Sequence, residues 1–212
     1  MRRIVFFSIC LCLSTIAIEG FTAPKTCTYD TYKWNVPAKK SVEYHAVTKP
    51  YSELAHTEID PKTGCSICRE DQTRIALDNG KPVFVCTRLA HDIEMSLNRA
   101  LDQGAIINSI IGYRVGQTRG DIDVDGNRTQ FSNHSFGIAV DINAENNGLY
   151  GNCFQFSAQC RLRKGGAWRP YAKGGLHAHS PIVLGLRQIG LQWGGEIQGR
   201  QKDFMHFSPS GY

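Results

Sequence analysis

The chain has 212 residues, 42% of them hydrophobic and 20% charged, with a net charge of +5. That is enough length and apolar content for one domain with a substantial core, and it excludes a disordered or low-complexity protein. The basic excess is too small and too scattered to indicate a nucleic-acid partner, although it suits association with an anionic polymer such as a cell wall.

Arg2 and Arg3 precede an apolar run from Ile4 to about Ile18, followed by small residues. This is the layout of a secretory signal peptide, expected over residues 1–20. The run is short for a membrane span, and no later stretch is long and apolar enough to be one, so no span is expected after cleavage. Removing Arg2, Arg3 and Glu19 leaves a net charge of +4. The localisation implied is periplasmic or secreted. Cys27, Cys65, Cys68, Cys86, Cys153 and Cys160 remain. An even number of cysteines in an exported chain reads as disulfides. Cys153 and Cys160 are the natural local pair, and the other four are left to pair among themselves. Cys65-x-x-Cys68 also fits one half of a structural zinc site, but Cys86 has no cysteine two or three residues away.

Residues 21–86 form an expected N-terminal extension. Its first part, to about residue 64, carries four prolines and no sustained periodicity, and reads as an irregular arm anchored by Trp34, Tyr44 and a disulfide. Asn79-Gly80, flanked by 72–79 and 82–86, is a hairpin-turn signal. From Thr87 a helix is expected, with Leu89, Ile93, Leu97, Ala100 and Leu101 on one face and Gly104 at its end. The apolar run 105–111 reads as a buried strand that delivers Gly112-Tyr113-Arg114. Residues 115–131 are polar and read as a long loop, and 136–143 alternate as a strand with one core face. Residues 144–179 read as an insertion over the site. Ser180-Pro181 predicts an N-cap and a helix from 181 to about 189, ended by Gly190. The stretches 191–195 and 204–208 read as two strands.

Chemistry concentrates at Ser132-Asn133-His134-Ser135-Phe136-Gly137-Ile138-Ala139-Val140-Asp141 and at Asp203-Phe204-Met205-His206. Two His and one Asp make a plausible three-ligand zinc site with a coordination position left for water. Seven residues of straight strand would hold His134 roughly 20 Å or more from Asp141, so the chain must turn, and Gly137 is the residue that permits it. Asp203 and His206 would face opposite sides of a regular strand, so a bulge or turn is required at Phe204-Met205. Two other features compete for metal. Asp121-x-Asp123-x-Asp125-Gly126 opens like a calcium loop but has Ser132 where a bidentate Glu belongs. His177-x-His179 reads as surface or groove histidine.

The pattern Ser132-x-His134-x-x-Gly137-x-Ala139-x-Asp141, followed by Trp193-Gly194-Gly195 and Asp203-x-x-His206-Phe207, resembles the zinc peptidases that cut peptidoglycan stem peptides. These are the D-alanyl-D-alanine carboxypeptidases and the L-alanyl-D-glutamate endopeptidases of the endolysin-like branch. The resemblance covers about residues 87–208 and implies a zinc-peptidase domain at 87–212. The implied fold is α+β, with a central antiparallel sheet and flanking helices. The resemblance further implies a zinc metallopeptidase of L,D-endopeptidase or D,D-carboxypeptidase type, with one zinc ion on His134, Asp141 and His206. Asp203 would be the general base, where many relatives carry Glu. Arg114 would be the arginine at the scissile carbonyl, with Arg119 its competitor. Ser132 and Trp193 would support or line the substrate pocket, and peptidoglycan stem peptides would be the partner. The rival reading is a non-catalytic zinc-bearing wall-binding or signalling module on the same fold.

Overall fold

The computed structural model describes residues 24–212. The expected signal peptide lies outside them. The first element overturns the expected irregular arm. Strands β1 (Thr26–Asn35) and β2 (Lys40–Pro50) pair antiparallel as a long hairpin. Only β1 has a buried face, made by Cys27, Tyr29 and Thr31, and β2 buries nothing. Glu58 braces this hairpin from within. Its carboxylate accepts from Tyr29 Oη at 2.6 Å and from Ala55 N at 2.7 Å, and it pairs with Lys49 Nζ.

Strands β3 (Gln72–Ala76) and β4 (Pro82–Cys86) form the expected hairpin, with Gly80 at φ +79° in its turn. Helix α1 (Thr87–Asp102) follows at once and buries Ala90, Ile93, Leu97 and Ala100. It stops where Gly104, at φ +84°, donates to Leu101 O at 2.8 Å. The expected strand over 105–111 shrinks to β5 (Ile110–Ile111), because the amides of Asn108 and Ser109 are taken by the Asn143 side chain, not by a neighbouring strand. The expected long loop is in fact a third hairpin, β6 (Gln117–Ile122) and β7 (Arg128–Phe131).

A single turn of 3-10 helix, Asn133–Phe136, leads into β8 (Val140–Ile142), so the strand expected over 136–143 is shorter and buried on both faces. Strands β9 (Leu149–Gly151) and β10 (Arg161–Lys164) interrupt an otherwise irregular 144–179. Helix α2 (Pro181–Gln188) has its proline in the first turn. Ser180 precedes it, but its hydroxyl donates to His177 O at 2.8 Å, not accepting from the helix amides as expected of a cap. Strands β11 (Gln192–Trp193), β12 (Gln201–Asp203) and β13 (His206–Ser208) complete the chain.

The result is α+β, with two helices and four sheets among the described residues in place of one central sheet. The sheet that positions the site has the order β11-β13-β8-β5 and is antiparallel throughout. Its strands are two or three residues long, too short to extend across the molecule, so the remaining strands pair in separate sheets. The main core packs α1 and α2 against β3–β4, Val140, Ile142, Phe204 and Phe207. Leu97 is fully buried there, and truncating it to Ala should cost about 2–5 kcal/mol. Among the described residues, three disulfides form, Cys27–Cys68, Cys65–Cys86 and Cys153–Cys160.

Candidate metal centre

His134 sits in the 3-10 turn, and the turn is pinned to the neighbouring chain. Ser132 N donates to Gly116 O at 3.2 Å, and Gly116 N donates to Ser135 Oγ at 3.1 Å. Gly137 then takes φ +66°, the left-handed conformation that reverses the chain and sends β8 back beside His134. No side chain fits there, since a Cβ would lie 1.9 Å from Gln72 Oε1 and 2.5 Å from Cys86 N. The turn brings Asp141 Oδ1 to 3.1 Å from His134 Nε2.

His206 arrives by sheet register. It lies directly opposite Asp141 in the antiparallel β13–β8 pair, and its Nδ1 is 2.9 Å from Asp141 Oδ1. The register thus closes a gap of 65 residues. The ligand atoms of His134, Asp141 and His206 all lie within 4.8 Å of one another, and all three residues are buried.

The proton positions at His134 argue for a cation. Its Nδ1 lies 2.8 Å from Gly112 O, and a carbonyl only accepts, so Nδ1 carries the hydrogen. Burial pushes the imidazole pKa down, which favours the neutral ring. A neutral ring with its proton on Nδ1 aims the Nε2 lone pair at the Asp141 carboxylate. Lone pair against carboxylate is repulsive unless a positive charge lies between them. A backbone carbonyl fixing the tautomer of a metal-binding histidine is also the usual outer-shell arrangement. The donor set therefore fits a divalent metal such as zinc.

Asp203 ends β12, and a two-residue turn at Phe204-Met205, as the spacing required, carries the chain into β13. The turn is clamped by 193–195. Trp193 Nε1 donates to Phe204 O at 2.8 Å, Gly194 N to His206 O at 2.8 Å and Asp203 N to Gly194 O at 2.9 Å. Asp203 Oδ1 is buried with no hydrogen-bond partner, and burial raises the carboxyl pKa to about 6.

Arg114 follows β5, and its amide donates to His134 O at 3.1 Å. Its Nη2 lies 3.3 Å from Asp141 Oδ2. Arg119, on β6, lies with its guanidinium carbon 5.8 Å from the Tyr212 ring centre. Burial lowers its pKa, and the Asp203 carboxylate opposes that shift. Ser132 and Trp193 are both buried, Ser132 with its hydroxyl 3.3 Å from Ser135 Oγ. The Asp121, Asp123 and Asp125 carboxylates do not converge. Asp123 Oδ1 instead accepts from the amides of Asp125 and Asn127 and shapes the hairpin turn. His177 packs beside the Tyr171 ring at 5.3 Å, and His179 is exposed.

Three participants carried no sequence signal that we read. Gly112 contributes only a carbonyl. Asn143, fully buried at φ +49°, ties β8 to 106–109 and to Gly174 through four hydrogen bonds. An Asn in the left-handed region straight after a hydrophobic strand was the available clue. Trp168 stacks flat on Phe204 at 3.8 Å and anchors the irregular 144–179 segment next to Asp203.

His134 of the 3-10 turn and Asp141 and His206 of the short antiparallel sheet thus form a buried group able to hold a metal ion, with the buried Oδ1 of Asp203 at the end of β12. Residues 125–209 match the family model for D-alanyl-D-alanine carboxypeptidase. The match contains His134, Asp141, Asp203 and His206 and stops short of Arg114. The match covers less than half of the chain and marks a likeness to that family. No curated protein and no solved structure matches the chain.

Proposed function

We propose that the protein is an exported zinc peptidase that hydrolyses peptide bonds in peptidoglycan stem peptides. The observation that carries this reading is the His134 lone pair aimed at the Asp141 carboxylate beside His206, with Asp203 close by and unpartnered. The family match over 125–209 supports the substrate class, and three disulfides suit a periplasmic or secreted protein.

A zinc ion held by His134, Asp141 and His206 would supply a polarising charge for the scissile carbonyl and a water acidic enough to ionise near neutral pH. Asp203 accepts the proton of the attacking water at its carboxylate and passes it to the nitrogen of the leaving amine as the C–N bond breaks. Arg114 presents its guanidinium to the carbonyl oxygen as negative charge develops there, while its contact with Asp141 fixes its direction. Ser132 and Trp193 act by positioning, one on the His134 turn and the other on the Asp203 turn. The peptidase unit is residues 87–212.

The test is digestion of purified peptidoglycan, with the released fragments weighed by mass spectrometry. The fragment mass identifies the bond and separates endopeptidase from carboxypeptidase. His206→Ala should lose stoichiometric zinc and hydrolysis together. Wild-type hydrolysis by that variant would overturn the reading.

A further inference from the structure

The β1–β2 hairpin lies outside the matched 125–209, yet it reaches the site. A cleft of about 310 Å³ lies between the hairpin and the 113–115 segment, at the lower end of the range for small-molecule sites. Asp30 and Tyr32 of β1, Tyr44 of β2, Arg69, Tyr113 and Arg114 line it. Arg114 is the connection, because its side chain also lies 3.3 Å from Asp141 Oδ2. The cleft thus shares one residue with the metal centre.

The cleft is held in shape before any ligand arrives. Tyr113 Oη donates to Ile67 O at 2.7 Å, and Arg69 Nη2 pairs with Asp30 Oδ2 at 2.7 Å. The Cys27–Cys68 bond ties β1 to the segment carrying Arg69. The Tyr32 ring lies on the backbone of Gly116, where a Cβ would come 2.6 Å from the ring. The Tyr32 and Tyr44 rings are 5.6 Å apart and tilted 32°. Tyr44 is 72% exposed, so a large aromatic face is offered to solvent at a site otherwise built rigidly.

Two adjoining tyrosine faces suit a flat ligand with apolar C–H surfaces and a polar rim. The Asp30–Arg69 pair at the edge provides acceptors and donors for hydroxyl and acetamido groups. In a stem-peptide substrate, the part that hangs off the peptide and has this character is the sugar. We propose that this cleft is a subsite for an N-acetylated amino-sugar residue of the glycan strand that carries the stem peptide. The proposal rests on the stem-peptide reading above for its substrate, and on the cleft alone for its ligand.

The experiment has two arms on the zinc-loaded full chain. In the first, an N-acetylglucosamine oligosaccharide is titrated in the millimolar range and followed by NMR. Wild type should bind it, and Tyr44→Ala should weaken binding about fivefold. In the second, kcat/KM is compared for a stem peptide still linked to its glycan and for the same peptide without sugar. The linked-over-free ratio should fall about fivefold in Tyr44→Ala. Absence of oligosaccharide binding by wild type, or an unchanged ratio in the variant, overturns the subsite. Oligosaccharide binding that depends on Tyr44, in a protein that cleaves neither peptide, upholds the subsite and overturns the peptidase reading instead.

Discussion

Asp203 has one carboxylate oxygen, Oδ1, that is kept dry and given nothing to bond. An oxygen with no partner costs desolvation without return, and in this carboxyl that cost appears as a pKa raised by burial to about 6. A base must be in its carboxylate form, so kcat/KM should fall as pH drops through the Asp203 pKa. A divalent cation on the neighbouring ligands favours the charged form, so the limb belongs below 6 in the zinc-loaded enzyme. Asp203→Asn keeps the shape and removes the base. It should lower kcat by about 10²–10⁴ while zinc stays bound, and erase that acidic limb. Stoichiometric zinc with a wild-type pH profile in this variant would assign the base elsewhere. At this scale the convergence of the three candidate ligands was legible, since the ligand atoms of His134, Asp141 and His206 do fall within 4.8 Å of one another. The Gly112 carbonyl that sets the His134 tautomer was not, because every residue has a carbonyl and only the fold aims one.

At the scale of elements, legibility followed burial. The α1 and β3–β4 patterns read correctly because each has one face in the main core. The β1–β2 and β6–β7 hairpins were missed because β2, β6 and β7 bury no residue at all, so their sequences carry no alternation to find. Gly137 was the opposite case, a single residue whose conformation followed from a distance. Its αL geometry and the 2.5 Å approach of the Cys86 amide leave no room for a methyl group. Gln72 cannot easily swing aside, since its Nε2 donates to Ser66 O and Cys68 O. Gly137→Ala should therefore destabilise the protein by about 2–4 kcal/mol, from left-handed strain and a backbone clash together. The same shift moves His134 relative to Asp141, so zinc affinity should drop in parallel. Thermal unfolding with and without zinc measures both. An unchanged zinc-induced rise in Tm would separate the turn from the site.

Among the described residues, two larger apolar cores are joined through a small third cluster of Cys65, Cys86 and Ile138. One holds the helices and the site strands. The other, built on Cys27, Tyr29, Ile67, Cys68 and Val115, holds the N-terminal hairpin. The smaller core has few apolar side chains, and its remaining support is the Glu58 cluster and the Cys27–Cys68 bond. That bond spans 41 residues, so opening it should release loop entropy worth about 3–4 kcal/mol. The hairpin joins the rest of the chain by β1–β6 pairing at Lys33 and Gln117, by Asn35 and Val36 on the 125–127 turn and by Thr28 on Glu70, and none of these reaches β8 or β13, so the loss should stay local. In the double variant Cys27→Ala, Cys68→Ala, amide exchange should accelerate across residues 26–50, while β8 and β13 keep their protection and zinc still binds. If β8 and β13 exchange at the same raised rate as the hairpin, the two cores unfold as one unit. The hairpin is then part of what holds the metal centre together, beyond forming a wall beside it.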